Sequence, residues 1–306
     1  MITVSLANLK QNIRIIKHSK KRVFVDLSYD AFGHGMNALY DNLRFDADGF
    51  IWNCTTATTA MYSADKTAKR PLIVSRSSIE KNLFNALAVA GATVVLNSIF
   101  DLENLKSVGS STSYLRVIIE HGALFGIADG ELNHIIEKIK TTPAYNSIKV
   151  LGILCNEGLD AAKYSDLKAR FPDLDILAYD EAEHSDIILA SKLLYGYNAH
   201  GNLSLHRSCQ FVGNVLDSTV TRGNITYITD LPFFEWTAAL SGDVAGIVAP
   251  VVSGGATLSA AVFPAKTPVP KTIEFIAGTS YFALVSALNA LSSIDRLYSN
   301  TPLRAL

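Results

Sequence analysis

The sequence has no excess charge of either sign, little cysteine and no uninterrupted apolar span. Its 27 lysines and arginines face 28 aspartates and glutamates, for a formal net charge of −1. That balance gives no basic footprint for nucleic acid and no polybasic patch for an anionic membrane. The three cysteines, Cys54, Cys155 and Cys209, are far apart and show no C-x-x-C spacing. A disulfide framework or a zinc site is therefore not expected; buried free thiols are. The N-terminus shows no charged segment leading into an apolar one, so no secretory leader is read and a cytoplasmic location is expected. Residues 238–263 are the most apolar, but Asp243, Pro250 and several Gly and Ser residues interrupt them. A membrane span needs about 20 largely uninterrupted apolar residues. Two or three buried strands are the better expectation, and no membrane partner is expected.

What remains is a 306-residue chain, 49% hydrophobic and 18% charged. That suits a globular protein with a large core, naturally divided into one large and one small domain. Residues 5–18 open with a serine cap and repeat apolar residues at Leu6, Leu9, Ile13 and Ile16, the spacing of an amphipathic helix. Strand-like and helix-like segments then alternate. Strands are expected at 22–27, 49–52, 71–75, 93–97, 114–120, 148–155, 175–179 and 193–197. Helices are expected at 57–68, 78–90, 100–108, 129–139 and 160–171, with a short one at 180–188. The strands are continuous apolar runs, as when both faces of a parallel sheet are covered. Eight such units predict an α/β fold, a (β/α)₈ TIM barrel over residues 1–200. A doubly wound sheet is the alternative. From residue 201 the pattern changes to strands joined by turns, with Arg222-Gly223-Asn224 as a hairpin signal. A small all-β domain is expected over 201–306.

One stretch has more specific content. Residues 23–36 read Val-Phe-Val-Asp-Leu-Ser-Tyr-Asp-Ala-Phe-Gly-His-Gly-Met, a strand followed by a glycine-bracketed turn. This resembles the pyridoxal-phosphate (PLP) segment of the alanine racemases, Val-Lys-Ala-Asp/Asn-Ala-Tyr-Gly-His-Gly. Asp30-Ala31 and Gly33-His34-Gly35 match it. Asn12 sits in the opening helix, as an asparagine does in that family. Asp46-Ala47-Asp48-Gly49-Phe50 resembles the family's Gly-Ala-Asp-Gly-Phe, and Leu194-Tyr195-Gly196 its Leu-Tyr-Gly after the last barrel strand. Residues 117–127, 152–154, 222–227 and 242–246 follow further family segments in order. The resemblance implies a barrel followed by a β domain, and a head-to-tail homodimer in which one chain's β domain completes its partner's site.

The family's chemistry needs a lysine to form a Schiff base with the cofactor and a tyrosine on the opposite face of the substrate. On this alignment the lysine position holds Ser28 and the tyrosine position Asp243. The tyrosine of the cofactor turn falls on Phe32, beside His34. The arginine that faces the pyridine nitrogen falls on Leu189, near Tyr195. The phosphate-binding Pro-Gly-Ile falls on Ala190-Ser191-Lys192, and residues 122–125 contain no arginine. The C-terminus stops two to four strands short by comparison. Lys21, seven residues before Ser28, lies about 23 Å away along an extended strand, at the other end of the barrel. The resemblance therefore implies a racemase-like chain without the PLP site.

Active sites of such barrels use the C-terminal ends of the strands. The candidates there are Asp30, Glu120, His121, Asn156, Glu157, Tyr179 and Asn198, an acidic rather than basic mouth. They suit a cation, a small amine or amino acid, or acid–base work. Polar loop ends are also what any barrel presents to water. Three functions stay open. The first is a racemase-like scaffold that binds a small ligand or a partner without a cofactor. The second is a PLP-dependent amino-acid racemase with a displaced lysine, for which Lys192 is the candidate. The third is a repurposed enzyme with an acidic mouth, with or without a metal.

Overall fold

A computed structural model describes residues 2–18, 21–28, 31, 34–53, 72–75, 87, 91–105, 114–122, 126–156, 158–180, 183–196, 203–232, 247–253, 256–264, 272–274 and 296–300. By contact the chain divides into two compact units. One comprises Ile13–Ala31 and Met36–Leu193; the other comprises Met1–Asn12, Phe32–Gly35 and Leu194–Leu306.

The larger unit is an eight-stranded closed parallel barrel. Its strands are β2 (Arg22–Asp26), β3 (Gly49–Asn53), β4 (Leu72–Ser75), β5 (Thr93–Leu96), β6 (Leu115–His121), β7 (Ile148–Cys155), β8 (Asp175–Tyr179) and β9 (Ile187–Ala190). Each pairs with the next, and Arg22–Val25 close the ring against Ile187–Ala190. Side chains alternate between faces along a strand. Phe24, Ile51, Val95, Ile118, Leu154 and Leu189 thus come together as a buried interior. Gly49 makes room there: a Cβ at that position would overlap the Phe24 ring at 2.6 Å.

The helices expected at 100–108, 129–139 and 160–171 are present where described, as Ile99–Asn104, Asp129–Thr141 and Ala161–Arg170, and a further helix, Met36–Leu43, follows the glycine turn. The Ser98 and Asp160 side chains accept from backbone amides of the first turn in two of them. The expected helix over 57–68 lies outside the described residues, as does that over 78–90 except for Leu87.

Two expected elements are not formed. No described residue of 180–188 is helical, and 193–196 are not the last strand: β9 is Ile187–Ala190, and residues 192–196 form turns. Ile187-Ile188-Leu189-Ala190 is a fully buried run, and Leu189 pairs with both Phe24 and Tyr179. Asp186 fixes the start of that strand. Its carboxylate accepts the Ile176 amide and the Tyr164 hydroxyl, each at 2.8 Å. This moves residues 191–193 from before the eighth strand to just beyond its C-terminal end.

The smaller unit is built on a largely antiparallel sheet, with one parallel pair, β1 (Ile2–Ser5) and β15 (Arg296–Ser299). Its strands are β10 (Cys209–Thr221), β11 (Asn224–Pro232), β12 (Ile247–Ser253), β13 (Ala256–Pro264), β14 (Thr272–Glu274) and β15 (Arg296–Ser299). The Arg222-Gly223 turn joins β10 to β11 as expected. Within the apolar stretch 238–263, β12 pairs antiparallel with β13; residues 238–246 lie outside the described ones. An unexpected strand, β1 (Ile2–Ser5), inserts between β10 and β15. Helix α1 (Leu6–Lys17) follows it without a break, with Ser5 Oγ accepting from the Asn8 amide at 3.2 Å. Asn12 is fully buried. Its Nδ2 donates to the Leu194 and His206 carbonyls at 2.8 and 2.7 Å, and its Oδ1 accepts the His206 amide at 2.7 Å. The asparagine that the sequence singles out is thus a three-bond tie between the helix and a segment almost two hundred residues later.

No helix among the described residues is long and apolar enough to cross a membrane. Trp52 and Cys155 are buried, the latter as a free thiol whose burial pushes its pKa up to about 11.

Candidate functional site

The C-terminal rim of the barrel holds polar residues because each strand's inward-facing row continues past the apolar interior. On β2 that row runs Phe24, Asp26, Ser28. Asp26 and Ser28 are both buried, and the Ser28 amide donates to Asp26 Oδ1 at 2.9 Å. Burial pushes the Asp26 carboxyl up to about 6; the Ser28 hydrogen bonds oppose this and the charge of Asp180 adds to it. A charged residue at the end of an apolar run, two places from an inward phenylalanine, is a signal readable in the sequence. Asp26 is absent from the candidates given above.

On β6 the row runs Ile118, Glu120, and on β7 it runs Leu154, Asn156. The Asn156 side-chain amide donates to the Glu120 carboxylate, so these two expected residues meet. His121 does not join them. It lies on the opposite face of β6, buried, with Nδ1 3.0 Å from the Ile127 carbonyl, and it secures the loop that follows. Tyr179 ends the inward row of β8 and is partly exposed. Leu189, opposite it on β9, is fully buried.

Asp180, just past β8, joins the residues just past β9. Asp180 adopts a left-handed backbone conformation, φ +53°. Its own amide donates to the Leu189 carbonyl at 3.1 Å. Its carboxylate accepts three successive backbone amides. Ser191 and Leu193 bond Oδ1 at 2.9 and 3.0 Å, and Lys192 bonds Oδ2 at 2.9 Å. Burial raises the pKa of this carboxyl, while the three amides and the Lys192 charge oppose the rise. The pairing spans eleven to thirteen residues and depends on where β9 ends, so no local pattern announces it.

In the smaller unit the His34 ring stacks on Tyr195, centroids 4.2 Å apart and planes 21° apart. The His34 carbonyl accepts from the Tyr298 hydroxyl at 2.7 Å. Gly35, at φ +89°, must be glycine there, because a Cβ would overlap that hydroxyl. Asp30, Phe32, Glu157, Asn198 and Asp243 lie outside the described residues. Among the described residues no three of His, Cys, Asp and Glu gather as metal ligands would.

No family model matches the sequence, and no curated protein matches it. Solved structures do match. The biosynthetic alanine racemase of Pseudomonas aeruginosa superposes with a TM-score of 0.77 at 14% identity, over 98% of this chain and 99% of that one. The fold is that of the alanine racemases. The Bartonella henselae alanine racemase, solved with covalently bound pyridoxal phosphate, gives a TM-score of 0.75 at 14% identity, covering 98% of each chain. The histidine racemase of Leuconostoc mesenteroides subsp. sake gives 0.68 at 14%, covering 97% of each. The racemase fold is therefore shared beyond alanine as substrate, and at these identities the likeness speaks for fold alone.

Proposed function

We propose that this protein keeps the alanine-racemase fold as a scaffold for a small ligand, an amine or amino acid, and does not carry out PLP-dependent racemisation. The observation that carries this reading is Ser28. The position that the resemblance gives to the Schiff-base lysine is a buried serine whose amide bonds the Asp26 carboxylate. A hydroxyl forms no imine. Leu189 supports the same reading, since the position of the family's pyridine-facing arginine is an apolar core side chain. The residues present do not fit the cofactor.

Absorption spectroscopy tests this. The purified protein is expected to be colourless, to develop no borohydride-sensitive band with added PLP and to interconvert no alanine enantiomers. A yellow protein with such a band would overturn the reading in favour of a displaced lysine. Lys192, which lies just past the end of β9, would then be the residue to replace.

A second reading is favoured by Asp26. A buried carboxyl with a pKa of about 6 is placed for proton transfer near neutral pH, which suits a cofactor-free acid–base enzyme at the same rim. Loss of a turnover on Asp26→Asn, with ligand binding retained, would select it.

A further inference from the structure

The geometry at the end of β9 points to a latent oxyanion site. We propose that the Asp180 carboxylate is a built-in anion filling a three-amide cradle, which takes an external phosphate or sulfate group only once that carboxylate is removed.

Successive backbone amides that converge on one point form an anion-binding concavity. Here the amides of Ser191, Lys192 and Leu193 converge on a carboxylate at 2.9 to 3.0 Å. Two of them share Oδ1 and the third takes Oδ2, so both oxygens are engaged. Asp180 is half-buried and its backbone is left-handed, φ +53°, a region that L residues other than Asn and Asp enter rarely. Residues 190–192 are also where the resemblance places the phosphate-binding loop. An oxyanion has the charge and the acceptor oxygens to satisfy the same amides, but the cradle holds one anion at a time. The inference goes beyond the proposed function, because that reading rests on Ser28 and this one on Asp180.

Inorganic phosphate is the probe. Asp180→Gly removes the carboxylate and suits the left-handed backbone. Asp180→Ser leaves a short hydroxyl that an oxyanion has room to displace. Thermal unfolding is followed with increasing phosphate against sodium chloride of equal ionic strength. The expected result is a saturable rise in Tm of at least about 2 °C for either variant and no rise for the wild type. If Asp180→Gly loses its cooperative transition without phosphate, recovery of the transition on adding phosphate supports the site equally. Two results overturn it: both variants insensitive to phosphate, or a wild-type rise as large as theirs, which would put the phosphate elsewhere. Neither outcome bears on the Schiff-base reading, which is measured by absorption of the wild-type protein.

Discussion

Asp26→Asn should make the protein more stable at neutral pH, and the gain should vanish in acid. The folded-state carboxyl stands near 6 against an ordinary value of 3.8. Between those values the folded form holds a proton that the unfolded form has released. The penalty is therefore absent below about pH 4, grows as pH rises, and is fully present above about pH 6. At about 1.36 kcal/mol per pH unit it amounts to roughly 3 kcal/mol at pH 7. Asparagine keeps the oxygen that accepts the Ser28 amide and carries no charge to desolvate. Allowing for imperfect replacement of the carboxyl, a gain of about 2 kcal/mol is expected at pH 7.5, falling to near zero at pH 4.5. Urea midpoints of wild type and variant at the two pH values measure it, and the Asp26 carboxyl can be followed directly by NMR against the variant. A variant less stable than wild type at pH 7.5 would refute the reasoning. So would a difference that does not change with pH.

Asn12→Ala strips three hydrogen bonds, one buried and two half-buried, and leaves two carbonyls and an amide to find other partners. At about 1 kcal/mol or more each, a loss of about 3–5 kcal/mol is expected in denaturant unfolding. Gly35→Ala meets both a left-handed φ and the Tyr298 hydroxyl; it should cost about 2–3 kcal/mol, whereas Tyr298→Phe, which deletes the 2.7 Å bond to His34 and keeps the ring, should cost about 1. Ser28→Lys restores the amine but not the surrounding residues, so added PLP is expected to give no stable borohydride-sensitive band. A strong band would mean that the amine alone was missing.

Most of the barrel was legible because its strands are buried on both faces and so read as unbroken apolar runs. Seven of the eight lie within a residue or two of the positions expected from the sequence. The eighth was misplaced because two apolar runs compete, Ile187–Ala190 and 193–195. What decides between them is tertiary: the register of Leu189 with Phe24 and Tyr179, and the grip of Asp180 on residues 191–193. β1 was missed for a similar reason. Four residues carry no period of their own, and their partners come about two hundred residues later. At the rim, Glu120 and Asn156 were legible as strand-end polar residues, and their contact follows from the pairing of β6 with β7. His121 was misjudged by one position of alternation, which sends it to the opposite face. Asp26 was visible in principle as a charge on the inward row. Asp180 was not, since its role exists only once β9 ends at Ala190.

The two carboxyls, Asp26 buried and Asp180 half-buried, also bear on which ligand this rim can hold. A carboxylate withdrawn from water must be compensated or give up its charge. Asp180 accepts three amides and feels the charge of Lys192; Asp26 accepts from Ser28 and feels the charge of Asp180, and its carboxyl stands near 6. Asp26 therefore titrates in the range where a bound charge can be read out. On the proposed reading, an ammonium brought within about 4–6 Å would favour its ionised form, recover part of the roughly 3 kcal/mol penalty and lower its pKa from near 6. A phosphate or carboxylate ligand would raise it further and bind against the field. The Asp26 titration thus reports the sign of the ligand's charge before the ligand is identified. Small amines that bind should shift it down, as should an amino acid whose ammonium rather than its carboxylate faces Asp26, and tighter binding at pH 7.5 than at pH 5 should accompany the shift. Binding that leaves the titration of Asp26 unmoved would place the ligand away from this rim.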